Sequence, residues 1–312
     1  MKKEDDVMTT LDFRSLTLSD RDEVRRRVLT ADCRNCDLNF MNLMSWRFLY
    51  DTELAVCDDW LLLRFRLNGR PAYLAPVGGG DWEHIMNVLL ADADRQGHSF
   101  FMMGVCEHRL ALIEQAMPGR FQPKADPAYA DYIYLRSSLS ELSGKALQPK
   151  RNHINRFLKL YPDYEYLPLT ADLFEECLAL DAQWADHKSG DNAWLSYADE
   201  RRSVEYVLGH WAELDGQGGA LRVDGRLVAF TYGAPINYDT FDVCVEKADT
   251  AYEGAYALIN REFARRIPEQ YVYVNREEDL GVEGLRRAKA SYRPERLLQK
   301  YTLTLTDRPA DR

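Results

Sequence analysis

Twice in this chain, two apolar runs flank a dipeptide that forces a tight reversal. WLLLRFRL and RPAYLAPV (60–77) surround Asn68-Gly69, and GALRV and RLVAFTYGAPI (219–236) surround Asp224-Gly225. Asn-Gly and Asp-Gly accept the positive φ that a two-residue hairpin needs at both central positions. The grammar around each hairpin is alike. After the first, the pattern predicts a helix through Trp82–Gln96, a strand over SFFMMGV (99–105) and a helix through Arg109–Met117. Before the second, it predicts a strand over EYLPLT (165–170) and a helix with Leu173, Cys177, Leu180 and Trp184 at helical spacing. After it come a strand over TFDVCVEKA (240–248), a helix over 252–267, a strand over YVYVN (271–275), a helix over 282–292 and a final strand over LLQKYTLTL (297–305).

The expectation is an α+β chain in which one unit, a mixed sheet flanked by helices, is used twice. The division falls at 1–143 and 144–312, with a connecting helix near 140–162. Near the start, Thr17 or Ser19 caps a helix whose first turn is acidic. The stretch Asn39–Trp46 is left ambiguous between helix and loop.

Composition removes several function classes. The chain has 312 residues, 46% of them apolar and 29% charged, which predicts a packed globular protein. Its net charge of −10 argues against coating duplex DNA, which needs surplus Lys and Arg. A local basic groove stays open. No run of about 18 apolar residues predicts a bilayer-spanning helix, and the N-terminus lacks the apolar core of a secretory signal. Six cysteines in a chain this long predict free thiols and a cytoplasmic location. Cys33-Arg-Asn-Cys36 is half of a zinc motif without a second half, so no metal is expected. No P-loop, G-x-S-x-G, H-E-x-x-H or G-x-G-x-x-G is present; Gly78-Gly79-Gly80 lacks the Lys-Ser/Thr of a P-loop.

Three stretches carry candidate chemistry. In TFDVCVEKADTAYEG (240–254), a strand ends on Glu246 and Lys247, and Gly254 opens the next helix. A helix N-terminus with small residues suits a phosphate or carboxylate, although the glycine-rich loop of CoA-binding enzymes is absent. A tightly packed strand–helix turn explains the same residues. In KRNHINR (150–156), Lys150, Arg151, His153 and Asn155 give a basic, amide-rich cluster fit for a phosphate, or else a hydrated linker helix. In the third stretch, Asn275, Glu277 and Asp279 place polar groups at a strand tip, where open sheets bind ligands. Lys289 and Tyr292 follow on the next helix. An acidic group there suits an ammonium substrate, and a tyrosine can relay a proton. The polar loop Asp186–Asn192 either lines a pocket or merely turns the chain.

Taken in order, KRNHINRF (150–157), VEKA (245–248), YEGAY (252–256), INREF (259–263) and DLGVEGLRRAKASY (279–292) resemble the family named for the C-terminal domain of phosphatidylglycerol lysyltransferase. CDLNF (36–40) and NLMSW (42–46) resemble its N-terminal region, so the likeness covers nearly the whole chain. The resemblance implies two tandem acyl-CoA N-acyltransferase-like domains and kinship with the bacterial Fem-type aminoacyltransferases. The implied reaction moves an aminoacyl group from aminoacyl-tRNA to a lipid head group, peptide or small amine or hydroxyl acceptor. Such transfer needs two substrates held together and a donor to the developing oxyanion, with no metal and no cofactor beyond the acyl donor. In this expectation Lys289, Tyr292 and Asp279 are catalytic. Lys150, Arg151, His153, Asn155, Glu246, Lys247 and Asn275 bind substrate. A non-catalytic binding module of the same fold, or an acetyl-CoA-dependent N-acetyltransferase, is the alternative.

Overall fold

The computed structural model of the protein describes residues 10–186 and 196–306. Among them, two seven-stranded mixed sheets flanked by helices form two compact units. The units are not contiguous halves. Among the described residues the first comprises 10–33, 47–127 and 299–306, and the second 34–46, 128–186 and 196–298, so they cut the chain elsewhere than at 143/144.

In the first unit the sheet order is β1 (Arg14–Ser15), β2 (Glu53–Cys57), β3 (Trp60–Leu67), β4 (Arg70–Leu74), β5 (Phe101–Cys106), β14 (Lys300–Leu305) and β6 (Phe121–Ala125). The β3–β4 turn has φ of 51° at Asn68 and 76° at Gly69, as the dipeptide requires. β4 and β5 run parallel, joined through the helix Trp82–Arg95, whose first turn Asp81 caps by accepting from the His84 amide (3.1 Å). The buried face of that helix (Ile85, Met86, Leu89, Ala93) packs with Tyr73, Met102 and Leu303 of the sheet.

The second unit repeats the plan: β8 (Glu165–Pro168), β9 (Gln217–Val223), β10 (Arg226–Pro235) and β11 (Thr240–Ala248) are antiparallel, β11 and β12 (Tyr273–Asn275) are parallel, and β7 (Asp131–Leu135) and β13 (Arg296–Leu298) close the sheet antiparallel. Asp224 and Gly225 again have φ of 49° and 77°. The core is formed by Phe241, Val243 and Val274 of the sheet and Leu258, Ile259 and Phe263 of the helix Ala255–Ala264, over which Ile154 and Phe157 of the helix Gln148–Leu160 are buried.

Two sequence expectations change. The final strand is divided at Gln299: its first part, β13, joins the second sheet, and its second part, β14, lies between β5 and β6 of the first. The ambiguous stretch is a helix, Phe40–Ser45, belonging to the second unit.

Candidate functional site

The second sheet has an open edge. β11 pairs with β10 from Phe241 to Ala248, but with β12 only from Thr240 to Asp242. Beyond Asp242, among the described residues, no strand covers the other side of β11. Where two parallel strands part in this way, open sheets commonly bind ligands.

Glu246 lies on that stretch of β11, and Arg276 is the first residue past β12. Arg276 Nη2 donates to Glu246 Oε1 (2.9 Å), and Asn260 Nδ2 donates to Glu246 Oε2 (3.0 Å). The Arg276 guanidinium also stands 4.8 Å from the centre of the Tyr292 ring, and Lys150 Nζ stands 4.0 Å from the same ring. Arg276 Nη1 is buried with no hydrogen-bond acceptor among the described residues. Burial, and then the neighbouring Arg276 charge, pull the Lys150 ammonium down to about 8, against the opposing pull of Glu246. Burial pushes the Tyr292 phenol up, which keeps it neutral.

The turn after β12 is braced by Asp279 and Lys289. Asp279, 1% exposed, accepts from Tyr132 Oη (2.7 Å), from Arg286 Nε (2.8 Å) and Nη2 (3.1 Å), and from the Gly281 amide (2.8 Å). Both its oxygens are engaged, so it serves as a clasp and has no free face for an ammonium. Lys289 Nζ donates to the carbonyls of Arg276 (2.6 Å) and Glu278, while Tyr134 Oη donates to the Lys289 carbonyl (2.7 Å). Two of the three ammonium protons thus fix the backbone that carries Arg276. Asn275 is also a bracket: Nδ2 donates to the Arg34 carbonyl (2.7 Å) and Asp131 Oδ2 (2.8 Å), and Oδ1 accepts from the Glu277 amide (2.6 Å).

An acidic group lies beside this turn. Asn39 and Asn42 donate to Asp242 Oδ2 (3.0 and 3.2 Å), and Asn42 also donates to Glu277 Oε1 (2.8 Å). Burial first, and Glu277 second, raise the Asp242 carboxyl well above its ordinary range. Burial, then Glu278, push Glu277 up to about 8. Cys36 Sγ sits 3.4 Å from Asp131 Oδ1.

The other sequence candidates lie elsewhere. Arg151 donates to the carbonyls of Leu142 and Gly144 (2.7 Å to the latter), bracing a turn with the guanidinium expected to hold phosphate. His153 and Asn155 are exposed, with His153 3.8 Å from Glu253. Lys247 is buried and paired with Glu200 (2.5 Å) and Asp181 (3.5 Å). Gly254 does permit a close approach, but to protein: a Cβ there would stand 2.3 Å from the His153 carbonyl. The cysteines of Cys33-x-x-Cys36 have separate partners, Cys33 facing Cys106 (3.7 Å between sulfurs) and Cys36 facing Asp131. Residues 187–192 of the polar loop fall outside the described residues. Sequence reasoning gave no role to Arg276, Asn39, Asn42 or Asp242. For Arg276 a signal existed, its place directly after a strand tip.

Residues 30–304 match the family described as phosphatidylglycerol lysyltransferase, C-terminal. The chain belongs to that family. Its structure is similar to the crystal structure of a conserved protein of unknown function from Bacteroides thetaiotaomicron VPI-5482, at 52% identity over 95% of this chain and 100% of that one, with a TM-score of 0.91. At 14% identity it shares the fold of the C-terminal domain of a putative lysylphosphatidylglycerol synthetase from Agrobacterium fabrum, with 92% of each chain covered and a TM-score of 0.67. At 8% it shares that of FemX, covering 93% and 96%, with a TM-score of 0.58. A Mycoplasmoides gallisepticum protein is 22% identical over 177 residues, 55% of this chain, and the chain spans about half, 54%, of that relative. The fold is the doubled N-acyltransferase-like one, and membership of the lysyltransferase family makes the protein acyltransferase-like. No helix among the described residues is long and apolar enough to cross a membrane.

Proposed function

We propose that the protein is an aminoacyltransferase. It takes an aminoacyl group from the ester of an aminoacyl-tRNA and passes it to a hydroxyl or amine, with a lipid head group as the acceptor that family membership favours. The observation that carries the reading is the convergence of Lys150 and Arg276 on Tyr292, at the edge of β11 that β12 leaves open.

The chemistry follows from the states of these groups. With its ammonium held near 8, Lys150 is partly a free amine at neutral pH and can take the proton of the attacking hydroxyl or amine. The nucleophile forms a new bond to the ester carbonyl carbon, and the oxygen becomes an oxyanion. Arg276 Nη1–H, the buried donor with no acceptor among the described residues, supplies the hydrogen bond that stabilises it. Collapse breaks the ester bond to ribose, and the Lys150 ammonium returns its proton to the departing ribose oxygen. Glu246 orients Arg276, Lys289 fixes its backbone, and the neutral Tyr292 ring packs against both Lys150 and Arg276. Asp279 holds the turn and touches no reactant.

The test is transfer of a radiolabelled amino acid from charged tRNA to phosphatidylglycerol vesicles, or to amine-bearing peptides. Labelled product is expected, and Lys150→Met and Arg276→Gln should each lower the rate by about 100-fold or more. Absence of product with every acceptor, while the charged tRNA decays only at its blank rate, refutes the proposal.

A further inference from the structure

A second cluster in the same unit takes no part in the proposed transfer. Asp242 lies between the core residues Phe241 and Val243 on β11, and Cys244, two residues on, is the extra residue where the ladder to β10 shifts register. Glu277 approaches from the turn after β12. One donor atom from each of Asp242, Cys244 and Glu277 lies within 4.8 Å of the other two.

Proximity of acidic groups alone would not make a site. The second observation is an orphaned atom. Asp242 is fully buried, and its Oδ1 has no hydrogen-bond partner among the described residues. As a carboxylate oxygen it lacks a donor, and as an acid its O–H lacks an acceptor. A buried polar atom left in that position has room in its bonding for an ion, a ligand or a water. The surroundings are also those of a ligand shell. Asn42 bridges Asp242 Oδ2 and Glu277 Oε1, and Asn39 holds Asp242 Oδ2 and approaches Cys244 Sγ (3.6 Å). Outer amides of this kind orient ligating carboxylates. The Glu277 amide donates to Asn275 Oδ1 (2.6 Å), which fixes the turn that carries this side chain.

We propose that Asp242, Cys244 and Glu277 bind one divalent transition-metal ion, with Zn2+ the best fit. A thiolate with two carboxylates selects a borderline-soft cation over Mg2+ or Ca2+. In tetrahedral zinc sites neighbouring donor atoms stand roughly 3–4 Å apart, a contraction that side-chain rotation can supply. Binding releases the protons carried by the Cys244 thiol and by the two carboxyls, and the resulting thiolate and carboxylates meet the charge of the ion. Three protein donors leave a fourth position for water or a ligand. Cys36, Asp131 and Glu278 form a neighbouring group of similar type and are the internal control.

The experiment titrates Co2+ into chelator-treated full-length protein and follows the charge-transfer absorption of a thiolate–cobalt bond. The wild type should take one equivalent, which Zn2+ displaces. Cys244→Ser should abolish the band, Asp242→Asn should weaken binding at least tenfold, and Cys36→Ser should change neither. Circular dichroism and thermal unfolding verify that each variant is folded. If Asp242→Asn fails to fold, Glu277→Gln, at a partly exposed residue, replaces it with the same expected loss. A band that survives Cys244→Ser, or is lost in Cys36→Ser, overturns the assignment, as does the absence of stoichiometric binding. The readout is metal binding alone, so it stands apart from the transferase assay.

Discussion

In the proposed transfer Lys150 is the proton acceptor, and its burial also sets one part of the pH dependence. Its folded-state value of about 8 lies below the ordinary lysine value of 10.5. Between those two pH values the unfolded chain binds the proton and the folded chain does not, so this residue makes stability rise with pH across that window. Below about 8 both states are protonated and the full penalty of a buried ammonium is present. Lys150→Met should therefore be more stable than the wild type at pH 7, with the difference shrinking between pH 8 and 10.5 in urea titrations. Greater instability of Lys150→Met at pH 7 refutes this. In activity the same residue should give a transfer rate that climbs through about pH 8. Lys150→Arg, permanently protonated, should flatten that profile. Asp279 behaves differently. Because it clasps Tyr132, Arg286 and the Gly281 amide, Asp279→Asn should destabilise the fold by about 1–3 kcal/mol in chemical denaturation. An unchanged midpoint would show that the clasp carries little.

At the scale of elements, the helix Ala255–Ala264 depends on one backbone approach. Gly254 has φ of 95°, and an added Cβ would stand 2.3 Å from the His153 carbonyl of the neighbouring helix. Gly254→Ala should lower stability by about 2–3 kcal/mol through backbone strain and displacement of that helix. A denaturation midpoint equal to that of the wild type would refute it. The glycine is visible in the sequence, but its reason is not, since a ligand or a second helix demands the same missing Cβ. Hairpins were legible because a two-residue turn carries its own geometry: Asn68-Gly69 and Asp224-Gly225 sit at the positive φ their chemistry predicts. Asn275, Asp279, Lys289 and Tyr292 drew attention because polar groups at the end of an apolar strand are conspicuous. Their division of labour was not legible, because it depends on contacts with Tyr132, Tyr134 and Asp131 from distant parts of the chain. Asn39 and Asn42 reach Asp242 only because the 34–46 segment belongs to the second unit, a placement no local pattern encodes.

For the whole molecule, the strand that local patterning could not divide has the largest consequence. LLQKYTLTL reads as one run, yet Lys300–Leu305 fills the place between β5 and β6, with Leu303 fully buried in the first unit's core. The first unit therefore cannot complete its sheet until the last strand has been made, whereas β7 of the second unit lies on the amino-terminal side of its partners β12 and β13. A chain ending at Leu298 leaves β5 and β6 with bare edges toward each other and removes the apolar side chain that covers Met102 and Phe121. In hydrogen exchange followed by mass spectrometry, residues 47–127 of that truncated chain should lose protection while 217–275 keep it, because the second sheet retains all of its strands. Equal protection of 47–127 in the truncated and full chains would mean that β14 decorates a sheet already stable without it.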